Sequence, residues 1–291
     1  MSERSFTVEV GEAGGAPLLG AERAELYALE VRSDEEARDS EASGTPAILL
    51  HGGPGASHDY LRPQLDALGS PTRPLFYYDQ RGSGRSTLPT TWPAGGIHQH
   101  LADLHAVIDA TATAPPILIG YSWGGLLALH FALEAPRAIT KLLLISPAPP
   151  NIEAREVMRT RLAAAAERPD VRAFGERIDR SDKRQRFAAL IAGFFVEPRR
   201  ALEVTPFVVR TRAELGIWES LRGYDLRPRL SSLAVETLII HGSDDPVPVE
   251  SSRETAELSG ARLIELPRCG HVPYVEASGS FLAAARAFLD S

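Results

Sequence analysis

The sequence Gly-Tyr-Ser-Trp-Gly stands at positions 120–124, between a short apolar run at 117–119 and a helical pattern over 125–134. In a G-x-S-x-G motif between a strand and a helix, the chain turns sharply and raises the central side chain above the edge of a sheet. Glycines at both ends of the motif permit a tight backbone that a Cβ would obstruct. The motif therefore predicts that Ser122 is a nucleophile at the start of a helix. The alternative is an ordinary turn with an incidental serine.

An acidic group follows another predicted strand, where the sequence His-Gly-Ser-Asp-Asp-Pro occupies positions 241–246. A serine nucleophile needs a base, and that base needs a carboxylate that holds it in the correct tautomer. Asp244 and Asp245 both compete for this role. The Gly-x-x-Asp spacing and the prolines that follow favour Asp245, while Asp244 is a candidate N-cap for the next helix.

The base is predicted at His271, in the sequence Cys-Gly-His-Val-Pro at 269–273, after the following strand and before a terminal helix. A nucleophile, an acid and a histidine in this chain order complete the set that acyl transfer requires. A lone loop histidine is usually an ordinary surface residue, but this one follows the serine and the acid in the expected order. Cys269 is interpreted as a small loop filler rather than a reactive thiol.

A developing oxyanion needs hydrogen-bond donors. The sequence His-Gly-Gly-Pro-Gly at 51–55 follows a short apolar run, and its glycines allow the main chain to approach a substrate carbonyl. We predict the backbone N–H groups of Gly53 and Trp123 as the two donors, with Gly52 as the alternative to Gly53. A plain glycine-rich turn is another interpretation. A phosphate loop is disfavoured because neither G-x-G-x-x-G nor G-K-[ST] occurs here.

Short apolar runs alternate with helical patterns along most of the chain, which predicts an α/β fold with a mostly parallel central sheet and helices on both faces. The segment 147–232 breaks this alternation because it is rich in helical patterns and has no series of strands. It carries 17 Lys and Arg against 12 Asp and Glu, whereas the whole chain has a net charge of −7. We interpret 147–232 as a helical cap (lid) inserted into an α/β core formed by 1–146 and 233–291. The predicted strands are 26–31, 47–50, 75–78, 117–119, 141–145, 238–240 and 262–266.

Composition limits the class of protein. The net charge of −7 argues against non-specific nucleic-acid binding, and the chain has no run of about 18 apolar residues that would predict a membrane span. The amino terminus lacks a basic stretch followed by an apolar run, so no signal peptide is expected. Cys269 is the only cysteine, which excludes an internal disulfide and is typical of a reducing compartment. We therefore expect a cytoplasmic protein with no nucleic-acid or membrane partner.

The sequences at 51–55 and 79–86, the turn around Ser122 and the pair Gly270–His271 together resemble the prolyl iminopeptidase-like branch of the α/β-hydrolases. Positions 79–86 read Asp-Gln-Arg-Gly-Ser-Gly-Arg-Ser, a loop that in this branch braces the floor of the active site. The resemblance implies an α/β-hydrolase fold and removal of an N-terminal proline-type residue from small peptides. The acid motif departs from the branch, in which a Gly-Arg-Tyr-Asp stretch is usual.

In this branch, acidic residues of the cap hold the free α-ammonium of the substrate. No matching cap sequence is present here, and Glu197 and Glu219 are candidates by chemistry alone. Each has the alternative interpretation of a solvated helix residue. Four aromatic residues of the cap are predicted either to line an apolar substrate pocket or to form the core of the cap: Phe194, Phe195, Phe207 and Trp218.

These residues predict a two-step acyl transfer on a small molecule or short peptide, without a metal or an organic cofactor. A carboxylesterase or lactonase, and a ligand receptor that turns over slowly, are the alternatives. Dehalogenases and epoxide hydrolases of similar fold use an aspartate where this chain has Ser122. The histidines at 98, 100 and 105 are interpreted as a solvated helix face and not as a metal site, because residues two apart do not share a helix face.

Overall fold

One mixed sheet organises the residues that the computed structural model describes, which are 1–10, 24–33, 44–87 and 96–291. Its strands are β1 (Ser2–Val10), β2 (Ala24–Arg32), β3 (Ala47–Leu50), β4 (Leu75–Tyr78), β5 (Ile117–Tyr121), β6 (Lys141–Ile145), β7 (Glu236–Gly242) and β8 (Arg262–Leu266). Their order across the sheet is β1-β2-β4-β3-β5-β6-β7-β8. The pairs β1–β2 and β2–β4 are antiparallel, and the other neighbouring strands are parallel.

Every predicted strand is present in the structure. Strand β1 is also present, but it was not predicted from the sequence. It forms an edge of the sheet and exposes most of its side chains, so its sequence Ser-Glu-Arg-Ser-Phe-Thr-Val-Glu-Val is largely polar. An edge strand needs only one apolar face, which makes it hard to recognise from hydrophobic runs.

Helices cover both faces of the sheet. The helices of the described residues are α1 (Ile97–Thr111), α2 (Trp123–Glu134), α3 (Ile152–Ala166), α4 (Pro169–Glu176), α5 (Lys183–Ile191), α6 (Thr211–Ser220), α7 (Arg227–Leu230), α8 (Val249–Ser259), α9 (Pro273–Glu276) and α10 (Ser278–Leu289). No helix among the described residues is long and apolar enough to cross a membrane.

The sheet separates two apolar cores. Along β3, Leu49 belongs to one core together with Phe281 of α10, while Ile48 belongs to the other together with Leu104 of α1. Because both faces of the central strands are buried, their sequences are apolar throughout and do not alternate. The predicted fold class, a mostly parallel sheet with helices on both faces, is confirmed.

Helices α3 to α7 lie between β6 and β7, together with 3₁₀ turns at Ala192–Phe194 and Pro198–Glu203. We call residues 147–232 the inserted segment. It reaches the loop that follows β8, because the carbonyl of Phe194 accepts a hydrogen bond from the backbone N–H of His271 at 2.8 Å. The division into 1–146, 147–232 and 233–291 stays a prediction. In the structure, β6 ends at Ile145 and β7 begins at Glu236.

The histidines of α1 are not all on a solvated face, contrary to the expectation. His98 and His105 are exposed, but His100 and Asp103 are buried. Burial lowers the pKa of His100 to about 3, and Asp103 accepts a hydrogen bond from Arg81 Nη2 at 2.6 Å. Within the described ranges, no three His, Cys, Asp or Glu side chains form a group that could hold a metal ion.

Candidate active site

The turn between β5 and α2 holds Ser122 in a strained backbone conformation, with φ 53° and ψ −118°. This region is rarely occupied by residues other than glycine and is often found at functional sites. A Cβ on Gly120 would overlap the carbonyl of Gly124, and a Cβ on Gly124 would overlap the carbonyl of Leu50. Gly120 therefore allows the end of β5 to approach α2, and Gly124 allows α2 to approach the end of β3.

His271 lies beside this serine, with its Nε2 atom 3.1 Å from Ser122 Oγ. The imidazole is buried, and the ring of Phe194 stacks on it with centroids 5.1 Å apart. This distance from Nε2 to Oγ is within hydrogen-bonding reach, so His271 is placed to accept the hydroxyl proton of Ser122. The neighbouring thiol of Cys269 is also buried, and burial raises its pKa to about 12, as expected of a packing residue.

Asp245 lies on the other side of the imidazole, with its Oδ2 atom 2.8 Å from His271 Nδ1. Its Oδ1 atom accepts a hydrogen bond from the backbone N–H of Val247 at 2.7 Å. Burial disfavours the carboxylate, but the imidazoles of His271 and His241 outweigh this effect and hold the pKa of Asp245 well below its ordinary value. Asp245 is therefore ionised at neutral pH and is placed to hold the Nδ1–H tautomer of His271.

Asp244, the alternative acid, has an exposed side chain, and its carboxylate accepts a hydrogen bond from Ser243 Oγ. It does not cap the next helix either, because the N-cap of α8 is Pro248. Of the two neighbouring aspartates, the structure brings only Asp245 to the histidine.

His241 is a second buried histidine at the same carboxylate, and it was not among the candidates drawn from the sequence. Its Nε2 atom lies 3.1 Å from Asp245 Oδ2 and 3.1 Å from the carbonyl oxygen of Val247. Two acceptors at this nitrogen indicate that it carries the hydrogen, so Nδ1 accepts from Ser252 Oγ at 2.7 Å. The position of His241 four residues before Asp245, at the end of β7, was the available signal.

The backbone N–H groups of Gly53 and Trp123 have no acceptor among the residues that the structure describes. Trp123 follows Ser122 directly as the first residue of α2, and Gly53 lines the same cavity as Ser122. Gly52 is different, because its N–H donates to the hydroxyl oxygen of Tyr60 at 2.6 Å. The structure therefore favours Gly53 over Gly52 as a free donor.

Gln80 connects the two loops that carry these donors. Its Oε1 atom accepts from the indole N–H of Trp123 at 2.7 Å, and its Nε2 atom donates to the carbonyl of His51 at 2.7 Å. Its backbone N–H donates to His51 Nε2 at 3.0 Å, so the Nδ1 atom of that ring carries the hydrogen and donates to the carbonyl of Gly52. Through these hydrogen bonds, Gln80 ties the loop 79–86 to His51 and Trp123.

Glu276 connects the loop of the candidate base to the inserted segment. Its Oε2 atom accepts from the backbone N–H of Gly270 at 2.6 Å, and its Oε1 atom accepts from the backbone N–H of Val196 at 2.8 Å. Burial raises the pKa of Glu276, although these N–H groups oppose the shift. One carboxylate therefore couples the position of the histidine loop to that of the inserted segment.

A cavity of about 640 Å³ lies above Ser122, under the inserted segment. Its lining is largely apolar, and Glu214 is the only carboxylate among the described residues that line it. Burial raises the pKa of Glu214 above its ordinary value, while Arg155 opposes this shift. The cavity is lined by Gly53, Pro54, Tyr60, Tyr121, Ser122, Ala148, Met158, Leu162, Phe187, Leu190, Ile191, Phe194, Phe195, Val204, Phe207, Val208, Val209, Glu214, Trp218, Val247, His271, Val272 and Tyr274.

The structure corrects the acidic candidates of the inserted segment. Glu197 and Glu219 are exposed and do not line the cavity; Glu219 pairs with Arg222 instead. Glu214, which was not among the candidates, lies four residues before Trp218 on α6, so the two share one helix face. All four aromatic candidates, Phe194, Phe195, Phe207 and Trp218, line the cavity. The signal that could have found Glu214 was its helical spacing from Trp218.

Comparison with known proteins agrees with this architecture. A family model described as the alpha/beta hydrolase fold matches residues 45–278. A protein of Variovorax paradoxus (strain S110) named as the carbamate hydrolase RutD is 32% identical over 242 residues, which cover 81% of this chain and 88% of that protein. A proline iminopeptidase of Lactiplantibacillus plantarum is 28% identical over 274 residues, covering 86% and 94%.

The solved structures that resemble the chain show the same fold. A proline iminopeptidase-related protein of Thermus thermophilus superposes with a TM-score of 0.74 at 24% identity, covering 100% of this chain and 98% of that one. An enol-lactonase of Burkholderia xenovorans superposes with a TM-score of 0.66 at 24% identity, covering 92% and 97%. At this identity, the likeness extends to the fold and not to the substrate.

Proposed function

The chain belongs to the alpha/beta hydrolase fold family, and we propose that it is a serine hydrolase that cleaves an amide or ester through Ser122, His271 and Asp245. The observation that carries this proposal is the continuous line of contacts from Ser122 Oγ to His271 Nε2 at 3.1 Å and from His271 Nδ1 to Asp245 Oδ2 at 2.8 Å. A strained serine at the end of a central strand, with free backbone donors beside it, adds support.

The reaction proceeds in two steps. His271 Nε2 takes the hydroxyl proton while Ser122 Oγ attacks the substrate carbonyl, and the same nitrogen then gives the proton to the leaving group. Water attacks the acyl-enzyme in the second step, again with His271 as base. The N–H groups of Gly53 and Trp123 hold the negative oxygen of each tetrahedral intermediate, and each contributes about 3 kcal/mol to lowering the barrier. Asp245 stabilises the imidazolium that forms.

The first test is labelling by a fluorophosphonate, a reagent that reacts with activated serines. We expect stoichiometric labelling of the wild-type protein and none of Ser122→Ala. Ser146, which also has a positive φ at the end of a central strand, supplies the matched control, and Ser146→Ala should be labelled like the wild type. An unreactive wild-type Ser122 would contradict the proposal and favour a receptor that keeps the fold without turnover.

The first candidate substrate is a small peptide with an N-terminal proline-type residue. Glu214, the one carboxylate among the described lining residues, can hold the free ammonium group of such a substrate. The proline iminopeptidases among the relatives support this candidate at 28% identity. Because the described lining is otherwise largely apolar, that carboxylate is the only anionic partner that it offers to an ammonium ion.

The second candidate is a carboxylic ester or lactone without an amine, which the apolar lining of the cavity favours. We separate the two by kcat/KM for a proline arylamide and for a short-chain acyl aryl ester. Glu214→Gln should lower kcat/KM for the arylamide about ten- to a hundredfold and leave the ester unchanged if an ammonium group binds there. Equal effects on both substrates, or ester turnover alone, would move the assignment to an esterase or lactonase.

A further inference from the structure

Some of the apolar side chains that line the cavity are exposed to solvent. Leu190, Val208 and Val209 line the cavity and are 81%, 72% and 41% exposed. Among the described residues, seven large apolar side chains are exposed, and five of them belong to the inserted segment. Single exposed apolar residues are ordinary, but a set of them around a cavity is typical of a ligand-binding surface. We call Leu190, Val208 and Val209 the apolar rim.

The apolar rim is continuous with the buried wall of the cavity. Exposed Leu190 is followed on α5 by Ile191, which is buried and lines the same cavity. Likewise, half-buried Phe207 lines the cavity and leads directly to Val208. The lining thus stays apolar from the buried wall to the exposed rim. This is expected for a channel that holds an apolar part of a substrate and leads to solvent.

The part of the wall that leads to the rim packs against the region of residues 51–55, which carries the proposed donor Gly53. The ring of Phe207 lies 4.4 Å from the ring of Tyr60, whose hydroxyl accepts the N–H of Gly52. Phe187 packs on Phe207 with centroids 5.0 Å apart. Phe187 and Leu190 are three residues apart on α5, so they share one face of that helix.

A different part of the cavity wall lies at the histidine. Phe194 stacks on His271 and accepts its backbone N–H. Because His271 protonates the leaving group, the leaving group must lie against this wall. The acyl part of the substrate then lies on the other side, along Phe207 and toward the apolar rim.

From these placements, we propose that the acyl group of the substrate is an extended apolar chain that runs from Ser122 past Phe207 and leaves the cavity over the apolar rim. This inference rests on the proposed serine-hydrolase mechanism and favours the second candidate substrate, because the acyl group of the first candidate is a prolyl residue and not an extended chain. The volume of about 640 Å³ is within the range of roughly 300–1,000 Å³ that encloses drug-sized ligands, far more than a single prolyl ring requires.

The kinetic test compares p-nitrophenyl acetate, butyrate and octanoate, each below its aggregation concentration. Each fully buried methylene contributes up to about fourfold in binding, so kcat/KM should rise by at least about tenfold from acetate to octanoate. The double variant Leu190→Ser/Val208→Ser should lose most of this rise and keep acetate turnover. Both positions are exposed, so the fold should tolerate the changes. Leu215→Ser is the control, because Leu215 is 53% exposed on the same segment but does not line the cavity.

A binding test needs no catalysis. On Ser122→Ala, calorimetry should show octanamide binding at least about tenfold more tightly than butanamide, with the difference reduced in the added Leu190→Ser/Val208→Ser background. If no ester is hydrolysed but octanamide still binds more tightly than butanamide, the proposed hydrolase activity is wrong and the proposal of an apolar channel stands. Equal binding of both amides, or an equal loss in Leu215→Ser, would overturn the inference. So would a change of oligomeric state in the double variant without a change in octanamide binding, because the rim would then serve a second copy of the chain.

Discussion

The loops at the carboxyl ends of the strands and the inserted segment above them are built in different ways. In the loops, Ser122, His271 and Asp245 are held by short polar contacts, and the histidine and the aspartate are buried. In the inserted segment, the side chains that face the cavity are mainly apolar, and several are half-buried or exposed. The one charged group that this segment places in the described lining is Glu214.

This difference indicates a division of work. Under the proposed mechanism, rigid polar contacts in the loops set the geometry for acyl transfer, where small displacements reduce the rate strongly. Apolar contacts from the inserted segment are non-directional, so they select a substrate by size and polarity. Substitutions in the loops should therefore change kcat, and substitutions in the inserted segment should change which substrate is preferred.

Asp245→Asn should give the largest effect, a loss of kcat of about 10⁴-fold. An asparagine amide stabilises the wrong tautomer of His271 and cannot stabilise the imidazolium. Asp244→Asn is the matched control and should retain wild-type kcat, because Asp244 is exposed and bonded to Ser243 Oγ rather than to the histidine. Steady-state kinetics on the best substrate measures both variants. Comparable losses of kcat in the two variants would contradict the assignment of Asp245, and not Asp244, as the partner of His271.

Gln80→Leu should lower kcat about ten- to a hundredfold with little change in KM. The substitution removes the side-chain bonds to Trp123 and His51, so the two loops that carry the oxyanion donors are no longer tied to each other. Gln64→Leu removes a glutamine amide that bonds the carbonyl of Glu203 instead, and it serves as the control. A change in KM alone would indicate that Gln80 shapes substrate binding and not the transition state.

Glu276→Gln tests the connection between the two regions, with an expected loss of kcat/KM of about three- to tenfold. A glutamine oxygen can accept only one of the N–H groups of Gly270 and Val196, and its amide nitrogen then faces the other donor. The melting temperature should fall by a few degrees. Glu257→Gln on the exposed surface of α8 is the comparison. Unchanged kinetics for Glu276→Gln would mean that the two regions act independently.

The smallest expected effect is on stability: Glu214→Gln should raise the melting temperature by about 1–3 °C at neutral pH. Because burial raises the pKa of Glu214 in the folded protein above its unfolded value, the wild type loses stability as the pH rises through that folded pKa. The variant lacks this titration, so its advantage should disappear below about pH 4, where the carboxyl is protonated in both states. Scanning calorimetry across pH checks this, with exposed Glu219→Gln as the control. A variant less stable than the wild type at neutral pH would show that Arg155 outweighs burial.

Much of the fold was predictable from the sequence, because buried parallel strands need apolar side chains on both faces and leave a clear pattern. The turn at Ser122 was also predictable, because Gly120 is required by a contact within the turn, with the carbonyl of Gly124. The contact that requires Gly124 is with Leu50 of β3, and only the tertiary structure shows it. Edge strand β1 escaped prediction because one exposed face allows a polar sequence. The choice of Asp245 over Asp244 was favoured by spacing, and the structure adds the burial that separates them.

The sequence by itself determined which polar residues follow the predicted strands. It therefore determined which of them meet at one edge of the sheet. Only the tertiary structure decided that Glu214, and neither Glu197 nor Glu219, faces the cavity. It also decided that His241 lies against Asp245 and that Leu190, although exposed, lines the cavity. The physical reason is the range of the interactions. A glycine turn or a strand follows from neighbours in the chain, whereas the burial of a side chain on an inserted helix depends on contacts with residues far away in sequence.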